Sequence, residues 1–271
     1  MQRHRPVGPR ARGAPMDSDA TNAHRPARQT DSEGQIPGAA RDPDAALAPL
    51  HPLRLAGEAP EAAGEEMQGA SVADIEPPSR PGALPRPLHC EWAWRPDPWG
   101  KAIHPSHGEA VADATTIGEA ASLHHDARGA AVGFAQQDQP GQPASHGLRI
   151  DAPGFDGSFV SLAIALPQSA RAALRQRHLL GLWLAVTAPE QTQLSARLNI
   201  LFGPNTGKLV RNIPADLRAA DGSLIEFDLA YCPFQERLLS HLWCDIILSA
   251  PVPDSVTLHD VAFTLRPRAE I

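Results

Sequence analysis

Aromatic side chains are missing from the first third of the chain. All thirteen Phe, Trp and Tyr residues lie at or after Trp92, and residues 1–88 also lack Cys and Lys while holding fourteen of the 28 prolines. A segment of this composition buries too little apolar surface to offset the entropy that ordering it would cost. The sequence therefore predicts a disordered Pro-, Ala- and Arg-rich segment over residues 1–88 and a folded domain over residues 89–271.

Lysine and long apolar runs are also scarce. Lys101 and Lys208 stand against 22 arginines, the formal net charge is −7, and no basic cluster of the size needed for a phosphate backbone is present. The longest apolar run, residues 179–186, is far shorter than the roughly 20 residues that cross a bilayer. We therefore expect neither nucleic acid nor membrane as a partner. Because no secretory signal follows the first arginines, we expect a cytoplasmic location.

Cysteine and histidine do not form a metal-binding pattern. The three cysteines have no CxxC spacing, which predicts reduced thiols rather than a disulfide framework or a zinc site. His104 and His107 lie in a proline-rich loop, and the adjacent His124 and His125 point to opposite faces of a strand. The sequence therefore predicts no metal site and no cofactor.

Catalytic motifs are likewise incomplete. The stretch "FGPNTGKL", residues 202–209, lacks the first glycine and the final hydroxyl of a phosphate-binding loop, and no Gly-x-Ser-x-Gly elbow occurs. Two carboxylate pairs, Asp228 with Asp245 and Glu226 with Asp260, are candidates for acid–base hydrolysis, but the sequence does not fix their separation. No catalytic residue is assigned.

Short alternating runs fill the chain from about residue 114. Ten stretches such as "GSFVSLAIALP", "QLSARLNILF" and "SLIEFDLAY" are typical of strands, and Gly- and Pro-rich turns separate them. Helical spacing occurs only in residues 167–178 and 233–242. Loops this short exclude most parallel crossovers. The pattern predicts an all-β fold, a two-sheet antiparallel sandwich of jelly-roll type with one or two short connecting helices.

Period-two alternation also sorts residues between the core face and the outer face of each strand. The outward positions combine flat aromatic rings with planar polar groups, as a site for a sugar ring and its hydroxyls would. The predicted ligand-binding residues are Trp183, Arg197, Asn199, Asp228, Trp243 and Asp245, with Glu226 also pointing outward.

Two interpretations account for this outer face. Either it is open and binds a ligand, or a connecting segment covers one or both tryptophans. In the second case the tryptophans form a satellite core, and Arg197 pairs with Asp228 or Asp245 on a neighbouring strand.

The folded half also resembles a known family. The stretches "WRPDPWGKAI", "FDGSFVSLAIALP", "ARLNILFGPNT", "LWCDIILSAP" and "RPRAE" are similar to those of an uncharacterised alphaproteobacterial domain-of-unknown-function family, over about residues 91–271. The resemblance implies one evolutionary unit that includes the tryptophan-rich strip at its start. It implies no activity and no residue roles.

These observations favour a non-catalytic β-sandwich module that binds a carbohydrate-like or other polar ligand. The alternative is a structural or assembly domain whose exposed strip pairs with another protein or with a second copy of the chain. A hydrolase is the third interpretation, and it depends on the carboxylate pairs converging.

Overall fold

The computed structural model describes residues 75, 78–112 and 114–269, and these residues form mainly β-structure. Two short helices occur in them, α1 (Asp97–Gly100) and α2 (Gln168–Ala173). The strands of the described residues are β1 (Trp92–Trp94), β2 (His107–Ala110), β3 (Thr115–Ile117), β4 (Ala121–His125), β5 (Val132–Asp138), β6 (His146–Asp151), β7 (Phe159–Ala165), β8 (His178–Thr187), β9 (Gln193–Phe202), β10 (Asn205–Asn212), β11 (Ser223–Asp228), β12 (Leu239–Ser249) and β13 (Ser255–Pro267).

The strands form two antiparallel sheets. Sheet A has the order β11-β8-β13-β6-β5-β2, with β1 also paired to β13, and sheet B has the order β10-β9-β12-β7-β4-β3. From β7 onward the chain passes repeatedly between the sheets, so that β12 in sheet B leads into β13 in sheet A. This arrangement confirms the predicted two-sheet antiparallel sandwich of jelly-roll type.

The core lies between the two sheets and follows from the alternation of each strand. In β8, Leu180, Leu182, Leu184 and Val186 are fully buried in one large apolar cluster. The inward residues of β9 and β12 join the same cluster. Burying one such side chain stabilises the fold by about 1.5–3 kcal/mol, so the alternating strands carry most of the driving force.

The two predicted helices have different outcomes. Residues 167–178 contain α2, with Pro167 at its N-cap and Ala170 buried in the core. Residues 233–242 do not form a helix, and this prediction is wrong. Only a single 3-10 turn, Glu236–Leu238, is present, and β12 begins immediately after it.

A segment N-terminal to the first strand packs on the outer face of sheet A. This N-terminal segment, residues 78–91, includes the half-buried Leu84 and the buried Pro85 and Pro87. Leu84 packs against a small cluster formed by Trp183, Leu224 and Ala262. The predicted boundary after residue 88 therefore falls inside a part of the chain that contacts the sheet. The predicted disorder of residues 1–74 lies outside the described residues.

The tryptophan-rich strip that follows is fixed to sheet A by polar contacts. Arg95 donates to both carboxylate oxygens of Asp260 at 2.8 Å and to the carbonyl oxygen of Ala83. The indole of Trp99 is fully buried and donates to the carbonyl oxygen of Leu258 at 3.0 Å. The strip thus belongs to the fold, as the family resemblance implied.

The cysteines are not paired with one another in the described residues. Cys90, Cys232 and Cys244 are free thiols, and the last two are buried. Burial raises the pKa of the Cys244 thiol well above its usual value. Among the helices of the described residues, none has the length and hydropathy of a membrane-spanning segment.

Candidate functional site

The six predicted ligand-binding residues lie on the outer faces of both sheets, and the structure does not bring them into one site. Trp183 and Asp228 belong to sheet A, on β8 and β11. The other four belong to adjacent strands β9 and β12 of sheet B: Arg197, Asn199, Trp243 and Asp245.

Trp183 faces away from the main core, as its parity predicted, but it is covered. Its side chain is 2% exposed and packs with Leu224 and Ala262 beneath Leu84 of the N-terminal segment. Gly222 lies so close to the indole ring that an added Cβ would overlap it. The satellite-core interpretation therefore describes Trp183.

Asp228 is the last residue of β11, and both oxygens of its carboxylate have partners within the protein. Its Oδ1 accepts a hydrogen bond of 3.0 Å from the backbone N–H of Ala230, as the N-cap of the 3-10 turn Leu229–Tyr231. Its Oδ2 lies 3.2 Å from Nε of Arg268. These contacts give Asp228 a local structural role.

The four sheet B residues form one connected group. Arg197 and Asp245 are directly opposite in the β9–β12 register, and Nε and Nη2 of Arg197 lie 3.0 and 2.9 Å from Oδ2 of Asp245. The amide of Asn199 donates to the same oxygen at 2.8 Å. Asp245 is 3% exposed and Asn199 is 1% exposed. Three donors on one carboxylate oxygen hold these side chains in a fixed arrangement.

Trp243 lies next to this group on the same face. It is directly opposite Asn199 on one side and Ala165 of β7 on the other. Trp243 is half-buried, whereas Ala165 is small and exposed. The indole therefore has the fixed amide of Asn199 on one flank and the small, exposed Ala165 on the other.

We call this surface of sheet B the Trp243 face, and its remaining side chains are mostly small or polar. Beyond Trp243 and Asp245 the outward positions of β7 and β4 hold Ser161, Ala163, Ser122 and His124. The ring of His124 shares a hydrogen bond of 2.9 Å with the hydroxyl of Ser122. Among the described helices, α2 contacts this sheet at the start of β12, where Arg171 donates to the carbonyl oxygen of Ser240. The outward side chains in the middle of the face are nevertheless buried, namely Ser161, Ala163, His124, Asp245 and Ile247. Trp243 and Arg197 remain partly exposed, and Lys208 is exposed.

A cavity over sheet A is a second candidate site. It has a volume of about 420 Å³ and lies beside Trp183, Ala185 and the loop residues Gln142 and Asp221. One wall is formed by His259 and Asp260, where a bulge shifts the register of β13. Bulges often occur beside binding sites, and the volume falls in the range of ligand pockets.

Sequence reasoning missed this cavity, although β13 carries a signal for it. The apolar positions change parity from Val256 and Leu258 to Val261 and Phe263, as one extra residue in a strand requires. The imidazole of His259 shares a hydrogen bond of 2.8 Å with the hydroxyl of Thr187. Burial lowers the pKa of His259 from its ordinary value.

The carboxylate pairs considered for hydrolysis do not converge. Asp228 and Asp245 lie on different sheets. Glu226 is held by Arg266 at 2.7 and 2.8 Å, and Asp260 by Arg95. Each carboxylate is therefore neutralised by its own arginine rather than shared with a second acid. Within residues 78–112 and 114–269, no cluster of His, Cys, Asp and Glu has the arrangement of a metal site.

The chain belongs to a family of unknown function, DUF6478, whose model matches residues 58–271. The match begins upstream of residue 91, where the resemblance was expected to start, and so includes the N-terminal segment that packs on sheet A. The alphaproteobacterial distribution of the family stays a prediction. No curated protein matches the chain.

Several solved structures match parts of this chain at low identity. The enzymatically active domain of bacteriophage CBA120 tailspike protein 4 matches at 13% identity and a TM-score of 0.38, over 54% of this chain and 19% of that one. The family 11 carbohydrate-binding module from Clostridium thermocellum matches at 7% identity and a TM-score of 0.37, over 61% and 98%.

A family 30 carbohydrate-binding module matches at 8% identity and a TM-score of 0.38, over 68% of this chain and 91% of that one. At these identities and TM-scores the likeness supports no conclusion about this chain. This chain spans about a fifth of the tailspike domain.

Proposed function

We propose that the protein is a non-catalytic binding module whose Trp243 face binds a carbohydrate-like polar ligand. One observation carries the proposal. The partly exposed indole of Trp243 lies directly opposite Asn199, whose amide is fixed by the Arg197–Asp245 pair. Of the six residues predicted from sequence, Trp243 and Arg197 contact the ligand in this proposal, and the buried Asn199 and Asp245 fix the position of Arg197. Trp183 and Asp228 are left with structural roles.

The chemistry of a sugar ring fits this arrangement. A pyranose has an apolar C–H face that packs on an aromatic ring and a rim of hydroxyls that pair with planar polar groups. Because Arg197, Asn199 and Asp245 are ordered before a ligand arrives, little entropy is lost when it binds. These side chains lie on paired strands rather than on a loop, and their positions are therefore rigid.

A glycan screen of the full chain followed by two matched variants tests the proposal. Trp243→Ala removes the platform and is expected to weaken binding at least tenfold while the protein stays folded. The control is Trp92→Ala, which removes another half-buried tryptophan on β1 of sheet A and is expected to leave affinity unchanged. Equal affinities for the wild type and Trp243→Ala would contradict the proposal.

An assembly role is the second candidate, and the edge of sheet B favours it. Strand β10 pairs only with β9 among the described strands, so its other edge is unpaired, and Val210 on it is 51% exposed. Unpaired edges are templates for strand addition by a second chain. Light scattering across a hundredfold concentration range separates the two functions, since a constant dimer mass favours assembly. The expected cytoplasmic location stays a proposal that cell fractionation tests.

A further inference from the structure

The Trp243 face carries very few charged side chains, and their sum is positive. Among the described outward residues of β4, β7, β9, β10 and β12, the only carboxylate is Asp245, which Arg197 neutralises. The remaining full charge is that of Lys208 on β10. Lys208 is exposed and has no ion pair within the described part of the chain. The face is therefore locally positive, although the whole chain has a formal net charge of −7.

The position of Lys208 relates it to Trp243. Lys208 is directly opposite Asn199, and Asn199 is directly opposite Trp243, so the three residues form one row across three strands. Two strand spacings separate Lys208 from Trp243, which is about 10 Å between backbones. The flexible lysine side chain can therefore reach the edge of a sugar ring that packs on the indole.

The chain's other lysine offers a contrast. Nζ of Lys101 lies 2.8 Å from Oε1 of Glu119, in the turn between β3 and β4 at the opposite edge of sheet B. The Lys101 charge is thus already paired. Lys208 is left to bind an anion from outside.

Resting on the proposed function, we propose that the Trp243 face selects an acidic glycan, one that contains uronic acid residues. The sugar ring packs on Trp243, its hydroxyls pair with the Arg197 guanidinium, and its carboxylate lies at Nζ of Lys208. The Asp245 carboxylate does not repel this anion because three donors already surround one of its oxygens. An exposed charge pair contributes modestly and is screened by salt, so the preference is strongest at low ionic strength.

Titrating the full chain with matched polymers tests the inference. The probes are polygalacturonate, alginate and hyaluronate, together with carboxyl-reduced polygalacturonate, which keeps the same backbone without the charge. The wild type is expected to prefer the acidic polymer by about three- to fivefold at low salt. Lys208→Gln is expected to abolish the preference, and Lys208→Glu to reverse it. Lys101→Gln is the matched control and is expected to change nothing.

The outcomes separate the inference from the proposed function on which it rests. Equal binding of acidic and neutral polymers, both lost in Trp243→Ala, overturns the acidic preference and supports the glycan-binding function. A preference that persists in Lys208→Gln also overturns the inference. If no acidic polymer binds, the inference is overturned as well. Binding of the neutral glycans in the screen then decides the proposed function. Binding of dextran sulfate that does not depend on Trp243 indicates charge attraction alone and counts against both.

Discussion

The two outward-pointing tryptophans have different environments because the N-terminal segment covers Trp183 but not Trp243. Trp183 is covered by Leu84 and approached closely by Gly222. Trp243 is only partly buried and lies near the start of β12. The same parity therefore gives one tryptophan a packing role and leaves the other available for contact.

We expect Trp183→Ala to destabilise the protein far more than Trp243→Ala. Removing the buried indole leaves a large cavity, which costs about 3–5 kcal/mol of the free energy of unfolding. The indole of Trp243 is partly exposed and makes fewer contacts, so replacing it lowers the free energy of unfolding by only about 1 kcal/mol. Urea denaturation of both variants measures the difference. Equal losses of stability would mean that Trp243 is also a core residue.

Gly222 offers a second test of the cover over Trp183. Its φ of 94° is disfavoured for other residues, and an added methyl group would overlap the indole. Gly154 has a φ of 61° with nothing near its Cβ position, so Gly154→Ala meets only the backbone cost. We expect Gly222→Ala to lower the melting temperature clearly more than Gly154→Ala. If both variants melt together, the indole is not held against Gly222.

At the scale of elements, the N-terminal segment is expected to act as part of the domain. A chain that starts at residue 75 keeps Leu84 over Trp183 and the Ala83 carbonyl that accepts from Arg95. A chain that starts at residue 89 loses both. The shorter chain should be less stable and should show red-shifted, more readily quenched tryptophan fluorescence. Identical spectra and stabilities for the two chains would place the domain boundary at residue 88 after all.

Alternation predicted the faces of individual strands well because each strand has one face on the core. It placed Leu180, Leu182 and Leu184 inward and Trp183 outward, as the structure does. It was silent on which sheet each strand joins, since that depends on contacts between residues far apart in sequence. The predicted set of site residues was therefore divided between the sheets, with Trp183 and Asp228 on sheet A.

The incorrect helix prediction also has its cause in strand pairing. Residues 233–242 place Phe234, Leu238 and Leu242 at helical spacing, but Leu238 is exposed and only Phe234 and Leu242 are buried. Pairing of β12 with β9 starts at Leu239, and the sheet overrides the helical propensity of the stretch. The cavity beside His259 was missed because a bulge shifts parity within a single strand.

For the whole molecule, three histidines with lowered pKa values link stability to pH. Burial lowers the pKa of His178, His241 and His259 below the ordinary value of 6.5. For His178 the nearby Arg177 and Arg175 act in the same direction, while Glu91 opposes them. The native protein therefore binds these protons less readily than the unfolded chain does.

We expect the free energy of unfolding to fall as pH decreases below about 6.5 and to be independent of these groups well above it. The unfolded chain takes up the protons first, so acid favours unfolding, with a slope of at most about 1.4 kcal/mol per pH unit for each histidine. Urea denaturation between pH 5 and 8 measures this slope. His178→Asn should reduce it, because His178 is 1% exposed, whereas His107→Asn on the exposed strand β2 should not. A flat profile for the wild type over this range would show that the native and unfolded chains bind the same number of protons, and that burial does not disfavour the charged form of these three rings.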